Sequence, residues 1–314
     1  MRIAVFGSGG VGGYFGGRLA QAGEDVVFIA RGKHLQAMRE KGLEVESILG
    51  DFVVKDIDAS DDPARIDPVD VVLVAVKSWQ LPEAARAMRP LVGPATLVVP
   101  LQNGVEAHQQ LAAELGSGVV VAGLCGLISI KAGPGRIRHT GTTPFIRFGE
   151  LDNRPSERLE RLERAFSRAS GLTVEIPTDI YAALWRKFLL VTSWGSLGAV
   201  TRAPIGVVRE QPGSRRLLEQ AMREIYQLAR ARRVALSPEV ATETMAFFDA
   251  LPAGGTTSMQ RDILAGRPSE LEAQTGAVVR LGRQAGVDTP LFSFIYHALL
   301  PLELRSRGRL DFPR

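Results

Sequence analysis

The segment RIAVFGSGGVGGYFGG constrains the fold of this chain more than any other. An apolar, β-branched run from Arg2 to Phe6 leads directly into glycines at positions 7, 9 and 12, and a helical pattern then continues toward Ala22. A G-x-G-x-x-G spacing alone is weak, because glycine is common in this chain. Between a strand and a helix, however, it has the context required of a turn that receives a dinucleotide pyrophosphate. Gly7 permits the tight turn, Gly9 lets the backbone approach the phosphates, and Gly12 lets helix and strand pack. The helix N-terminus adds free N–H groups and a partial positive charge. Gly7, Ser8, Gly9, Gly10, Val11 and Gly12 therefore form the candidate cofactor loop.

The first half of the chain repeats this texture. DVVFIA, VVLVAV, TLVVP and VVVAG are continuous apolar runs alternating with helical patterns. Strands buried on both faces read this way, which points to a parallel sheet covered by helices, a doubly wound α/β domain. After Gly123, ISIKAGPGRIRHTGTTPFIRFGE reads as extended segments about a Gly133-Pro134-Gly135 turn, an antiparallel extension of the sheet. A charged helix, PSERLERLERAFSRAS, and a short strand, LTVEIP, close a domain spanning residues 1–177. From Thr178 no strand is expected, so residues 178–314 form an all-helical domain. A cleft between two such domains is the default ligand site.

The bulk properties narrow the class of function. A chain of 314 residues exceeds one ordinary core. Its 45% apolar and 23% charged residues are those of a globular protein, and its net charge of +4 comes from scattered basic residues. No basic run is interleaved with aromatics, so a nucleic-acid partner is not expected. No apolar run approaches a membrane span. The N-terminus enters a strand pattern within two residues, which reads as a cytoplasmic start. Cys125 is the single cysteine and sits in an apolar stretch, while His34, His108, His139 and His297 lack metal-ligand spacing. A small-molecule substrate and no metal are the expectation.

Cofactor choice is read from the end of the second strand, FIARGKH. An acid there would bind a ribose 2′-hydroxyl; instead Arg31 occupies the place, with Lys33 and His34 behind it. Such a cation suits a 2′-phosphate, so NADP(H) is expected over NAD(H). Ligands of these sheets bind beyond the C-terminal strand ends, where Lys77 follows VVLVAV and Gln102, Asn103 and Gly104 follow VVPL. Further on, Thr257 with Gln260 and Ser269 with Glu272 have capping-box spacing, placing Ser258 and Glu270 in first helical turns. The apolar helix LWRKFLLVTSWGS carries adjacent Arg186 and Lys187. A buried charge needs a partner, and successive helical residues point about 100° apart. Lys187 shares a stripe with Leu184 and Val191, whereas Arg186 can turn to solvent or to a carboxylate.

In order, the glycine turn, VKSWQ, LQNGVE, GPGRIRHTG, LWRKFLLV and TTSMQRDILAGRPSELE resemble the ketopantoate reductase family of NADPH-dependent 2-dehydropantoate 2-reductases. The likeness covers essentially the whole chain. It implies that Lys187 is the general acid toward a 2-keto acid carbonyl. By the same resemblance Glu270 binds a substrate hydroxyl and helps hold the lysine, Ser258 contacts the carboxylate, and Asn103 orients substrate and nicotinamide. Lys77 reaches cofactor or substrate, and Glu270 also borders the cofactor. One departure stands out: the family usually has asparagines one and two turns past the lysine, where this chain has Val191 and Gly195. Thr192 and Ser193 would compensate only if the helix were rotated or irregular. A reductase of a less polar 2-keto acid, and a catalytically silent NADP(H)-binding sensor, are the alternatives. The apolar stretch PLFSFIYHALLPLEL suits either a homodimer contact or a domain core.

Overall fold

A computed structural model describes residues 1–312. Contacts divide the chain into two units, one formed by Met1–Gln102 and Glu106–Ile180, the other by Asn103–Val105 and the chain from Tyr181 onward.

The first unit holds ten strands: β1 (Arg2–Phe6), β2 (Asp25–Ile29), β3 (Leu43–Ser47), β4 (Phe52–Val54), β5 (Asp58–Ser60), β6 (Val71–Val74), β7 (Leu97–Pro100), β8 (Ala122–Gly133), β9 (Arg136–Gly149) and β10 (Thr173–Glu175). Five of them form a wholly parallel sheet in the order β5-β2-β1-β6-β7. Its central strands are buried along nearly their whole length, which is why they read as unbroken apolar runs. The expected hairpin about Gly133-Pro134-Gly135 is present as β8 and β9, paired antiparallel. It belongs to a second sheet, ordered β10-β9-β3-β4 with β8 on β9, rather than extending the first. Within that sheet β9 runs parallel to both β3 and β10, and a single bridge, Val98 to Val120, leads from β7 toward β8. Five helices complete the unit: α1 (Gly10–Gln21), α2 (Gly32–Lys41), α3 (Leu81–Ala87), α4 (Ala107–Leu115) and α5 (Glu157–Arg168). Ser156 caps the last of these by accepting from the Leu159 N–H.

The second unit is helical, as expected. It contains α6 (Ile180–Thr201), α7 (Ile205–Glu210), α8 (Pro212–Ala231), α9 (Val240–Ala250), α10 (Ser258–Leu264), α11 (Thr275–Ala285) and α12 (Pro290–Ser306). Its core gathers Phe188, Leu189 and Leu197 of α6, Met222 and Ile225 of α8, Phe248 of α9, and Phe292 and Ile295 of α12. Much of the C-terminal apolar stretch is therefore spent on this core. Among the described residues no helix is long and apolar enough to cross a membrane, and no group of metal-ligating side chains is found.

Three histidines of the first unit, His34, His108 and His139, are buried. Burial disfavours the charged ring and holds each below the ordinary imidazole range, His108 down to about 4. An unfolded chain takes up those protons first, near pH 6.5, so acid favours unfolding. Thermal midpoints are expected to be highest above pH 7 and to fall steadily toward pH 4. A midpoint flat between pH 7 and pH 5 would contradict that account.

Candidate active site

The glycine turn follows β1 and opens α1 as its spacing requires. Gly7 has φ +101°, and a Cβ added there would lie 2.8 Å from the Val76 amide nitrogen. A Cβ on Gly12 would meet the Gly7 carbonyl oxygen at 2.1 Å, so only glycine lets α1 start this close to β1. Gly9, the N-cap of α1, has nothing within 4 Å of its own Cβ position. Bare backbone thus faces open space at a helix N-terminus, which fits a pyrophosphate.

A prop for this turn was not legible in the sequence. The Ser8 hydroxyl donates to the Ile29 carbonyl at 3.0 Å. Gly135 N–H donates to His34 Nδ1 at 2.9 Å, which leaves the proton on Nε2 to donate to the Ser8 carbonyl at 2.7 Å. The turn between β8 and β9 therefore braces the cofactor loop through one neutral, buried imidazole. His34 is consequently not a cation beside Arg31. Arg31 itself is the N-cap of α2 and largely exposed, with Glu83 3.6 Å away.

At the end of β6, Lys77 is exposed. Its backbone N–H donates to Gln80 Oε1 at 3.3 Å, and its ammonium stands 5.7 Å from the Trp79 ring centre. At the end of β7, buried Gln102 donates to the carbonyls of Val74 and Val76 at 2.9 and 3.0 Å, tying the two strand ends together. The chain then passes into the second unit. Gly104 has φ +102°, and a Cβ there would lie 2.7 Å from the Ala273 carbonyl oxygen. This close approach seats Asn103 beside the residues that precede α11.

Within the second unit, Asn103 joins the two residues expected to do chemistry. Lys187 Nζ donates to Asn103 Oδ1 at 2.9 Å, and Asn103 Nδ2 donates to Glu270 Oε2 at 2.9 Å. The two bonds fix the amide's orientation, since only its oxygen accepts from an ammonium and only its nitrogen donates to a carboxylate. Glu270 is 5% exposed and Lys187 is half-buried. An ammonium has three donors, and a single hydrogen bond of Lys187 is found among the described residues, so donors remain for a ligand oxygen. The adjacent cation has a different fate: Arg186 Nη2 is 2.7 Å from the Glu243 carboxylate on the exposed side of α6. Arg186→Ala is accordingly expected to keep kcat within about threefold of wild type, as exposed pairs contribute little. A hundredfold loss in steady-state turnover would show the two cations acting together.

Ser258 is the first residue of α10, capped by Thr257 accepting from the Gln260 N–H at 3.2 Å. It makes no hydrogen bond among the described residues. The capping box expected at Ser269 is not formed. Ser269 is captured by a distant partner, its N–H and hydroxyl both donating to the Glu303 carboxylate, and α11 begins only at Thr275. Glu270 thus lies in a turn segment rather than a first helical turn, and its side chain answers to Asn103.

Past Lys187, α6 is continuous and supplies no replacement amide of its own. Ser193 spends its hydroxyl on the Leu189 carbonyl at 2.6 Å. Thr192 is fully buried, and its hydroxyl has no partner among the described residues.

Comparisons with known proteins bear on the family and the fold. Residues 3–153 match the family model described as ketopantoate reductase PanE/ApbA, and residues 179–303 match its C-terminal counterpart. A 2-dehydropantoate 2-reductase from Nostoc sp. is 30% identical, with 98% of this chain and 96% of that protein covered. The crystal structure of a PanE/ApbA family ketopantoate reductase from Ralstonia eutropha superposes with a TM-score of 0.89 at 32% identity, covering 98% of this chain and all of that one. D-mandelate dehydrogenase, solved with NADH and anilino(oxo)acetate, shares the fold at a TM-score of 0.88 and 22% identity over 98% of this chain and all of that one. With two family models spanning nearly its whole length, an α/β unit carrying a glycine-turn sheet and a helical unit carrying Lys187, the chain belongs to the ketopantoate reductase family of oxidoreductases.

Proposed function

We propose that this protein reduces 2-dehydropantoate to pantoate with NADPH, in pantothenate biosynthesis in the cytoplasm. The observation that carries the reading is the linked set Lys187, Asn103 and Glu270, an ammonium and a carboxylate held apart by one oriented amide.

In this reading Gly7 to Gly12 hold the cofactor pyrophosphate, and Arg31 with Lys33 holds a 2′-phosphate through charge-assisted bonds. The reduced nicotinamide, when bound, supplies the hydride for the substrate's carbonyl carbon. Lys187 donates an N–H to the carbonyl oxygen, where negative charge develops, and transfers its proton there to give the 2-hydroxy acid. A positioned general acid contributes about 10²- to 10⁴-fold, and a charge aimed at the developing oxyanion acts in the same direction. Asn103 holds the ammonium in place. Glu270 accepts from a substrate hydroxyl, Ser258 meets the carboxylate, and Lys77 reaches cofactor or substrate.

A second reading rests on Val191 and Gly195, which present no polar group where the site would continue along α6. They favour a bulkier or less polar 2-keto acid. NADPH oxidation by the purified protein against 2-dehydropantoate and a panel of branched 2-keto acids separates the two. Turnover concentrated on 2-dehydropantoate supports the first; a preference for alkyl acids supports the second. Tight NADPH binding without turnover of any acid overturns both and favours a sensor. Equal Michaelis constants for NADPH and NADH would remove the role given to Arg31.

A further inference from the structure

Glu270 reaches Asn103 from a stretch with no regular structure of its own. Between the end of α10 at Leu264 and the start of α11 at Thr275 the chain has neither helix nor strand, so no ladder of backbone bonds sets where the Glu270 carboxylate stands. Buried backbone groups outside such ladders need other partners. The residue before Glu270 finds them on α12 and its C-cap.

Ser269 is 1% exposed and is held at three points. Its N–H and its hydroxyl donate to the Glu303 carboxylate at 3.1 and 2.5 Å, and its carbonyl accepts from Arg307 Nη2 at 3.1 Å. Arg307 Nε donates to Glu303 Oε1 at 2.7 Å, which closes a ring around this one residue. The gripped carbonyl belongs to the peptide unit that enters Glu270. Because that unit is planar, fixing it fixes the origin of the Glu270 side chain. On the other side, the Glu270 carbonyl accepts from the Gln274 N–H at 3.0 Å, and Ser269 Oγ accepts from the Leu271 N–H at 3.2 Å. The backbone is therefore pinned before and after Glu270, whose carboxylate accepts from Asn103 Nδ2.

Glu303 is 6% exposed. Taking its carboxylate out of water offsets most of what an ion pair returns, so a buried pair adds little net stability. What this one supplies is a defined position. We infer that Glu303 and Arg307 are positioning residues, which grip Ser269 so that the Glu270 carboxylate meets Asn103 and, through Asn103, orients the Lys187 ammonium. The inference rests on the proposed 2-keto acid reduction. It gives α12, which also supplies Phe292 and Ile295 to the core, a second task behind the site.

The test measures kcat/KM with NADPH for 2-dehydropantoate, or for whichever branched 2-keto acid the wild type reduces fastest. A misplacement of about 1 Å caused far from the chemistry can cost about 10²-fold in rate. Glu303→Ala is accordingly expected to lower kcat/KM about 30-fold or more, with NADPH affinity by fluorescence titration held within about threefold. The same substitution in a Glu270→Ala background should change kcat/KM less than about threefold, because groups acting through one another are non-additive. Glu303→Gln, which keeps an acceptor for the Ser269 N–H, should recover most of the loss. Arg307→Ala, which releases the Ser269 carbonyl, takes the place of Glu303→Ala if that variant does not fold, with the same comparison against Glu270→Ala. Losses that multiply in the double variant would leave Glu303 a purely structural residue, and a near-normal kcat/KM in Glu303→Ala would overturn the inference outright. Both results leave 2-keto acid reduction standing, since the wild type still turns over. A wild type that reduces none of the acids would remove the functional reading and this inference together.

Discussion

Replacing Lys187 with alanine is expected to lower kcat about 10²- to 10⁴-fold, the usual contribution of a positioned general acid and equivalent to about 3 to 5 kcal/mol of barrier. NADPH affinity should stay within about twofold, because Lys187 belongs to the helical unit and the glycine turn to the other. The loss has two parts. The ammonium stabilises negative charge developing on the carbonyl oxygen, and it supplies the proton that quenches it. Alanine also leaves Asn103 Oδ1 without its donor, so the amide is no longer oriented from both sides. Steady-state kinetics with a fluorescence titration of the cofactor reads both quantities. A near-normal kcat would remove Lys187 from the mechanism, and a parallel collapse of cofactor affinity would point to a damaged fold.

The second large effect is expected at the opposite end of the chemistry. Gly12→Ala should weaken NADPH binding about 100-fold or more, about 3 kcal/mol, while the helical unit is left intact. A methyl group 2.1 Å from the Gly7 carbonyl cannot be absorbed by a rotamer change, because both atoms belong to the backbone of one turn. The N-terminus of α1 must move off β1, and the N–H groups that face the phosphates move with it. Gly9, with nothing within 4 Å of its Cβ position, serves as the internal control. Alanine there strains no neighbour in the free protein, so any loss of affinity reports the approach of the ligand itself. Isothermal titration with NADPH distinguishes the cases, and unchanged affinity in Gly12→Ala would contradict the role given to the turn.

These expectations differ in how far the residues alone could support them. The parallel sheet was legible because β1, β2, β6 and β7 are buried on both faces and so read as unbroken apolar runs. β3, β4 and β5 were not. Two of them have three residues each, and LEVES in β3 finds its partner in β9, nearly a hundred positions away. Pairing at that distance leaves no local periodicity. The hairpin was visible through its Gly-Pro-Gly turn, whereas its membership of a separate sheet depends on those same unseen strands. Arg186 and Lys187 separated on helical geometry alone, and Arg186 indeed meets a carboxylate, Glu243. Ser269 shows the opposite case. Its spacing to Glu272 is a proper local signal, but Glu303, from α12, competes for the same hydroxyl and N–H and wins. The brace from His34 to Ser8 and Gly135 is likewise a contact between segments that carries no mark in either one.

The claim at the centre of this account is that Lys187 and Asn103 act as one unit, the amide holding the ammonium where it can protonate a carbonyl. A double-mutant cycle on kcat tests it directly, with Lys187→Ala, Asn103→Ala and the pair measured under saturating 2-keto acid and NADPH. Groups that act as a unit are grossly non-additive. If Asn103 works through Lys187, the double variant should turn over within about threefold of Lys187→Ala alone. If the two defects instead multiply, Asn103 and Lys187 act independently, and the linked arrangement seen in the structure is not the catalytic device.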